Sequence, residues 1–366
     1  MDNIRLKRIN YQSLVDRKIE KNHDDFGIVS EYLSESVQKA LLSNPNIKDY
    51  SKSLMNLVLF NEAIVGRFMM MPTRIKNGDS ILLAQTGGGI EISREFRGKG
   101  LGKKLMSDTI FYSEYPIYIG QLYSSGASAI INKLGLTIFE KPLYVKLCKT
   151  RSVYAAKGQG GIKLKLYSLL GDLKIKIRDL PNKRKLCSLK KKYIIKKEYS
   201  VPEWVDNITL NDGHRYSEIH DRTWLQWNLD NRFTEANGDS NSFYAVYEKN
   251  GLPIGFFMIK ERFEENPLGL FKNLVRGTVV EWGSANEKKF TEADINLMAL
   301  SMFSSNVDKI NTVISSEGLD DAIKQIGFEY RGQYQMALKT TEDVDKTILD
   351  QNNWRIRYGG ANTILV

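Results

Sequence analysis

The sequence predicts a mixed α/β (α+β) fold made of two similar units, each a mainly antiparallel central sheet flanked by helices. Three observations predict it. Strand-like and helix-like runs alternate along the whole chain. One order of elements, strand–turn–strand–strand–helix–strand–helix–strand, occurs twice, about 200 residues apart. The 366 residues, 42% hydrophobic and 26% charged, exceed the ~100–200 residues of one typical domain.

In the first unit, apolar residues at Val29, Leu33, Val37 and Leu41 predict a helix over 28–42, ended by Asn44-Pro45. Asn56–Phe60 reads as a strand, Asn61-Glu62 as a turn, and Ile64–Pro72 as the returning strand. A third strand spans Ser80–Ser93, with Gly87-Gly88-Gly89 inside it predicting a bulge or a splayed strand. A helix to about Tyr112, a buried strand Pro116–Gly120 and a helix Ser125–Leu134 stopped by Gly135 follow. Short strands close the unit near Leu136–Phe139 and Tyr144–Cys148.

The second unit is predicted to start with a helix over Tyr216–Leu229. Strands at Phe243–Tyr247, Ile254–Lys260 and Val275–Gly283 come next, then a helix Glu292–Phe303 and a strand Asn311–Ser315. A helix Leu319–Ile326, Gly327-Phe328 and a strand Tyr334–Lys339 complete the copy, and Asn353–Val366 reads as hairpin-like around Gly359-Gly360. The expected organisation is 1–150, a basic connector 151–200, and 201–366.

Charge is unevenly placed. The chain carries 53 Lys and Arg against 43 Asp and Glu, net +10. Residues 157–197 alone hold fourteen Lys and Arg against two acids, Asp172 and Asp179, so the remainder is nearly neutral. Apolar and basic residues alternate through Ile162–Leu170 and Leu173–Ile177, which suggests a strand or a mixed basic surface rather than a helical stripe. Such a segment suits phosphate-bearing substrates, nucleic acid or an anionic membrane, or is a solvated connector.

Other classes drop away. No run of ~18 apolar residues predicts a spanning helix, and Met1–Arg5 lacks the apolar stretch of a secretory signal. Cys148 and Cys187 are too few for a disulfide framework, and His23, His214 and His220 show no ligand spacing. A cytoplasmic, metal-free protein is expected, with His214 and His220 at the surface. Trp224 and Trp227 are expected in the core, and Met69-Met70-Met71 in strand packing or in an acceptor-site wall.

The segment that carries chemistry is Ile90-Glu91-Ile92-Ser93-Arg94-Glu95-Phe96-Arg97-Gly98-Lys99-Gly100-Leu101-Gly102-Lys103. A strand ends in a turn dense in glycine and base, and a helix starts at once. Glycines let backbone N–H groups converge, and the helix N-terminus adds partial positive charge, so the turn suits a phosphate or pyrophosphate. Arg97, Lys99 and Lys103 reinforce it. The spacing is neither that of a dinucleotide fingerprint nor of a P-loop.

Arg97-x-x-Gly100-x-Gly102, after the strand Ile90-Glu91-Ile92, resembles the acyl-CoA-binding motif of the GNAT (Gcn5-related N-acetyltransferase) superfamily. Ser124–Ser128, leading through Lys133-Leu134-Gly135-Leu136, is similar to that family's second signature. The resemblance covers about Asn56–Lys149; the second copy shares it in element order and Gly327-Phe328. It implies that Arg97, Gly98, Lys99, Gly100, Leu101, Gly102 and Lys103 hold the pyrophosphate of coenzyme A. Ile90, Glu91 and Ile92 would pair with the pantetheine arm, and Ser128 would add a contact. Acetyl-CoA is the default acyl donor, with no metal.

The resemblance also implies direct attack of an amine on the thioester. A backbone N–H near Ile92 would bind the oxyanion, and Glu91 would accept the ammonium proton, or else face solvent or pair with a lysine. The tyrosine that many members place four residues before their glycine–phenylalanine pair is here Ile131; Tyr123 is the alternative proton donor, or a structural tyrosine. The second copy's turn, Gly283–Phe290, lacks the motif, so one cofactor site is expected, and Glu281 there reads as structural. The implied activity is N-acyl transfer to a small amine, an amino sugar among the candidates. The alternatives are a non-catalytic CoA-binding module docking on membrane or nucleic acid, and acylation of a protein or tRNA.

Overall fold

A computed structural model describes residues 3–16, 35–122, 125–158, 160–231, 240–265 and 273–359. One sheet of fourteen strands runs through both units. Strands β1 (Ile4–Asn10), β2 (Ser53–Phe60), β3 (Ala63–Asn77), β4 (Ser80–Ile92) and β5 (Ile117–Leu122) follow one another from one edge. From the other edge come β7 (Tyr193–Glu198), β9 (Ser240–Glu248), β10 (Pro253–Glu264), β11 (Leu274–Ser284) and β12 (Lys309–Val313). Each series is antiparallel except for its last pair, β4–β5 and β11–β12, which are parallel.

The two series meet through exchanged strands. β6 (Thr137–Leu147), from the first unit, pairs with β12 of the second. β13 (Glu329–Thr340), from the second, lies between β5 and β6. The central order β5-β13-β6-β12 thus has approximate twofold symmetry, and neither half completes its sheet from its own residues.

Three predicted elements differ. β6 is one strand, not two, because its antiparallel pairing with β13 carries it past Pro142. The helix predicted from Tyr216 starts later: Tyr216–Glu218 is β8, paired with β3, and Asp221 caps the helix α9 (Arg222–Asp230) by accepting from the Trp224 amide. The basic segment is helical, and so is no alternating surface. α5 (Arg151–Ala156), α6 (Gly161–Arg178) and α7 (Leu180–Lys192) precede β7. Its alternation holds over Ile162–Leu166 and Leu173–Ile177 but is broken between them at Leu169-Leu170, whereas the exposed Ile162, Leu166, Leu169, Leu170, Leu173 and Ile177 follow the 3.6-residue period throughout.

On one face of the first series, α3 (Leu101–Phe111) and α4 (Ser125–Leu134) cover a core of Val58, Val65, Phe68, Leu105, Ile110 and Tyr118. On the opposite face α2 (Glu35–Leu42), α8 (Trp204–Leu210) and α9 share one core with Met69 and Met71 of the first series and Phe243 and Phe256 of the second. Trp224 and Trp227 are buried there, and the Trp227 indole donates to the Ala40 carbonyl at 2.9 Å. α10 (Glu292–Leu300) and α11 (Asp320–Gln325) cover the second series.

The return arm of the hairpin expected around Gly359-Gly360 lies outside the described residues. Trp354–Arg355 forms β14, parallel to β8, and Trp354–Gly359 is buried throughout. It is held by charge and shape: Arg355 pairs with Glu287 at 2.6 Å, and Arg357 with Glu281 at 2.6 Å.

Candidate functional site

The site grows from a break in pairing. β4 and β5 run parallel only from Ala84↔Ile117 to Gly87↔Gly120; beyond that they splay. Gly87 permits the approach, since a Cβ there would lie 2.6 Å from the buried Tyr118 hydroxyl and 2.7 Å from the Phe68 ring. A bulge then sets β4 against β3, with Met69↔Gly88 followed by Arg67↔Glu91.

Past the bulge, the Ser93 amide donates to the Val65 carbonyl at 2.9 Å. By strand alternation, the Ile92 amide and carbonyl therefore turn away from β3, toward the splay. The Ile92 carbonyl accepts from the Arg97 Nε at 2.9 Å, which fixes the start of the turn. Glu91 lies against Arg67: the guanidinium, 3% exposed, pairs with the carboxylate at 2.9 Å and donates to the Gly89 carbonyl at 2.7 Å. Glu91 itself is 43% exposed. The partner of Glu91 is thus an arginine, Arg67, and not the lysine that was one expectation for it. Only the register of β3 against β4 could have found it.

The glycine turn has the backbone its composition asks for. Gly98 and Gly100 both sit at φ 78°, and Gly100 caps α3. That left-handed conformation, not lack of space, requires glycine, because a Cβ at either position would meet nothing within 4 Å. The first helical bond runs from the Lys104 amide to the Gly100 carbonyl, no side chain caps the end, and no acid lies in the first turn. The amides of Leu101, Gly102 and Lys103 therefore point out of the helix with its positive pole behind them.

These residues line one groove of about 610 Å³: Ile90, Glu91, Ile92, Phe96, Arg97, Gly98, Gly100, Leu101, Gly102 and Lys103, with Gly126, Ala127 and Ile130 of α4. Nine of the predicted cofactor residues share it. Lys99 does not line it; its ammonium lies over the Phe96 ring at 4.7 Å. Ser128 does not line it either, and donates to Gln335 of β13 at 3.1 Å. Tyr123 lies outside the described residues. Ile131 is fully buried beneath the sheet. The α4 contributors were missed because Gly126, Ala127 and Ile130 carry no polar signal.

The second series repeats the geometry without the turn. β11 and β12 splay after Thr278↔Asn311, and Val280 is the extra residue of a bulge before Met258↔Glu281. This splay is filled by the chain itself. The Ile356 amide donates to Ser315 Oγ at 3.2 Å, Arg357 donates to the Trp282 carbonyl at 3.2 Å, and Gly359 abuts the Val280 carbonyl.

Glu281 is fully buried between Arg357 and His220. Burial raises its carboxyl pKa, but Arg357 and His220 outweigh burial and hold it below its ordinary value. His220 is not at the surface. It stacks on Trp224 with ring centroids 3.7 Å apart, and the Glu281 and Glu218 carboxylates overcome burial to raise its pKa. His214 is half-buried. Among the described residues no cluster of His, Cys, Asp or Glu is placed to hold a metal, and no helix is long and apolar enough to cross a membrane.

A sheet opened between two parallel strands, a left-handed glycine turn and an uncapped helix together define a GNAT fold, here two-lobed with a degenerate second copy. Solved structures agree. Saccharomyces cerevisiae N-myristoyltransferase with bound myristoyl-CoA and inhibitors superposes with a TM-score of 0.57 at 12% identity, over 93% of this chain and 80% of that one. A conserved Enterococcus faecalis protein described as a probable N-acyltransferase gives 0.51 at 13%, over 93% and 72%. A GCN5-related N-acetyltransferase from Anabaena variabilis gives 0.50 at 10%, over 92% and 72%. No family model matches the sequence, and no curated protein matches it.

Proposed function

We propose that the chain is an acyl-CoA-dependent N-acyltransferase of the GNAT type, with residues 1–150 holding the donor and 201–366 closing the acceptor side. The observation that carries this reading is the groove from Ile90 to Lys103, where a free strand edge runs directly into the glycine turn. Arg97, Lys103 and the amides of Leu101, Gly102 and Lys103 suit a pyrophosphate, and the β4 edge suits an amide-bearing arm. A groove of about 610 Å³ is of ordinary ligand size. Coenzyme A supplies an activated thioester.

The residues then do three things. The Ile92 amide, facing the splay, is the donor for charge developing on the carbonyl oxygen. The free Glu91 carboxylate oxygen accepts the proton of the incoming ammonium, so that the amine attacks in its neutral form. The groove walls hold amine and carbonyl in line. The N–C bond forms, the C–S bond breaks, and the amine's second proton ends on the departing sulfur. With Ile131 in the core, the proton donor for that sulfur is Tyr123 or water. The acyl group is acetyl by default, and the acceptor is a small amine such as an amino sugar.

A second reading, a CoA-binding module without turnover, is favoured by the tie between Glu91 and Arg67. One experiment separates them. The melting temperature should rise by several degrees with acetyl-CoA near 100 times its Kd, a stabilisation of ~2.7 kcal/mol, and not with NAD. Thiol release on a panel of amines then reports turnover. A shift without thiol release on any amine supports the module; no shift with acetyl-CoA or a longer acyl-CoA withdraws the site.

A further inference from the structure

α6 is turned inside out. Its polar side faces the protein: Asp172 accepts from the Thr150 amide at 2.8 Å and the Thr150 hydroxyl at 2.9 Å, and that hydroxyl also lies against the Ser168 carbonyl at 3.2 Å. Gly171 lets Thr150 approach, as a Cβ there would lie 2.6 Å from Thr150 Oγ1. Its apolar side faces outward. Ile162, Leu166, Leu169, Leu170, Leu173 and Ile177 recur at three- and four-residue spacing and occupy an arc of about 100° on the helix. All six are exposed, from 51% at Leu173 to 85% at Ile162.

Lysines border this arc on both sides, Lys165 and Lys176 along one flank and Lys163 and Lys174 along the other. All four are exposed, and none has an ion pair among the described residues. The adjoining α7 adds Lys183, Arg184, Lys190, Lys191 and Lys192, also exposed.

We propose that α6 is an interfacial helix that docks this protein on an anionic lipid surface, its aliphatic face entering the headgroup–acyl boundary and its lysines meeting lipid phosphates. Charge and shape choose this occupant. An apolar arc with lysines on both flanks matches the layered chemistry of a bilayer surface. Nucleic acid would engage the lysines and leave six aliphatic side chains in water. A second copy would bring two positive rims together, which like-charge repulsion opposes. The inference stands independently of the acyl-transfer reading, because the groove and α6 share no residue.

The test is flotation of the full chain with vesicles of phosphatidylcholine alone and with roughly one-third phosphatidylglycerol. Flotation is expected only with the anionic vesicles, weakening about tenfold or more between low and high salt. The triple variant Leu166→Gln/Leu170→Gln/Leu173→Gln should bind the anionic vesicles ~100-fold more weakly. Its melting temperature should be unchanged, since these side chains are already in water. If the triple variant is poorly folded, Lys163→Gln/Lys165→Gln/Lys174→Gln/Lys176→Gln tests the charge half and should weaken binding comparably.

Folded protein that fails to float with anionic vesicles at low salt overturns the proposal. Flotation undiminished by the triple variant does so too, as does tight DNA binding indifferent to the leucines without flotation. A concentration-dependent dimer that the triple variant dissociates, again without flotation, assigns the face to a second copy.

Discussion

Glu91 and Glu281 occupy the same station in the two halves of the sheet. Each is the first paired residue after a β-bulge, opposite Arg67 in one case and Met258 in the other. Their surroundings decide their fates. Glu91 pairs with Arg67 yet lines an open groove with its side chain 43% exposed, while Glu281 is fully buried between Arg357 and His220.

Glu91→Gln is expected to lower acyl transfer by about a hundredfold, within the usual range for a general base, while leaving the acetyl-CoA melting shift in place. Paired measurement of kcat and thermal shift checks it. A variant with full turnover assigns the proton to water and leaves Glu91 as the partner of Arg67.

Glu281→Gln should behave in the opposite way. Removing one charge from a buried set leaves Arg357 with only the longer ion pair to Asp212 at 3.9 Å and His220 with only Glu218 at 3.5 Å, at a cost of up to ~3–5 kcal/mol. Denaturant unfolding reads that loss directly. Any residual folded protein should bind acetyl-CoA normally, because this site is not the groove.

Gly100→Val places a β-branched residue at φ 78°. The strain is worth ~1–2 kcal/mol, and the backbone amides of the turn would rotate out of register. The acetyl-CoA shift should vanish while the apo melting temperature falls by only a few degrees. Gly102→Ala is the gentler control: its Cβ would meet Ile130 and Ile92 at ordinary contact distances of 3.5 and 3.8 Å.

Stability should fall as pH rises from about 4.5 to 8. Burial pushes the Glu292 carboxyl up to about 7, against hydrogen bonds from the Ser316 and Ser315 amides. An acid raised in the folded state contributes stability fully below its unfolded pKa, near 4.5, and loses it through pH 7, here ~3 kcal/mol. His220, raised above its ordinary value, acts in the same direction, losing its contribution as pH passes from its unfolded toward its folded pKa. Asp212 and Glu281, both lowered, lose theirs only in acid. Glu292→Gln should flatten the alkaline limb in melting temperatures taken across this range.

Local signals in the sequence located the groove well, because its parts are consecutive. A Gly-rich turn between a strand and a helix is written in the fourteen residues from Ile90 to Lys103, and Ser125 with Gly135 bounds α4. Contacts between distant segments were not legible. Nothing near Thr137 shows that β6 pairs with β12, or that β13 comes between β5 and β6. His220 looked like a surface residue because its partners, Glu281 and Trp224, reach it only through folding. The basic segment misled for a different reason: an outward apolar face with a polar back reverses the pattern by which helices are recognised, and the short runs Ile162–Leu166 and Leu173–Ile177 alternate by chance.

The strand exchange sets a condition on how the protein is made. β13 is the last strand of the central sheet to leave the ribosome, yet it lies beside β5 and supplies Gln335 to Ser128 of α4. The first 150 residues can collapse around α3 while synthesis continues, but the strand next to β5 is vacant until residues 329–340 arrive. A chain truncated before Glu329 would present two unpaired strand edges, those of β5 and β6, each an invitation to another chain. Only wholly synthesised protein closes the gap between β5 and β6, which makes premature termination a route to aggregation rather than to a smaller working domain.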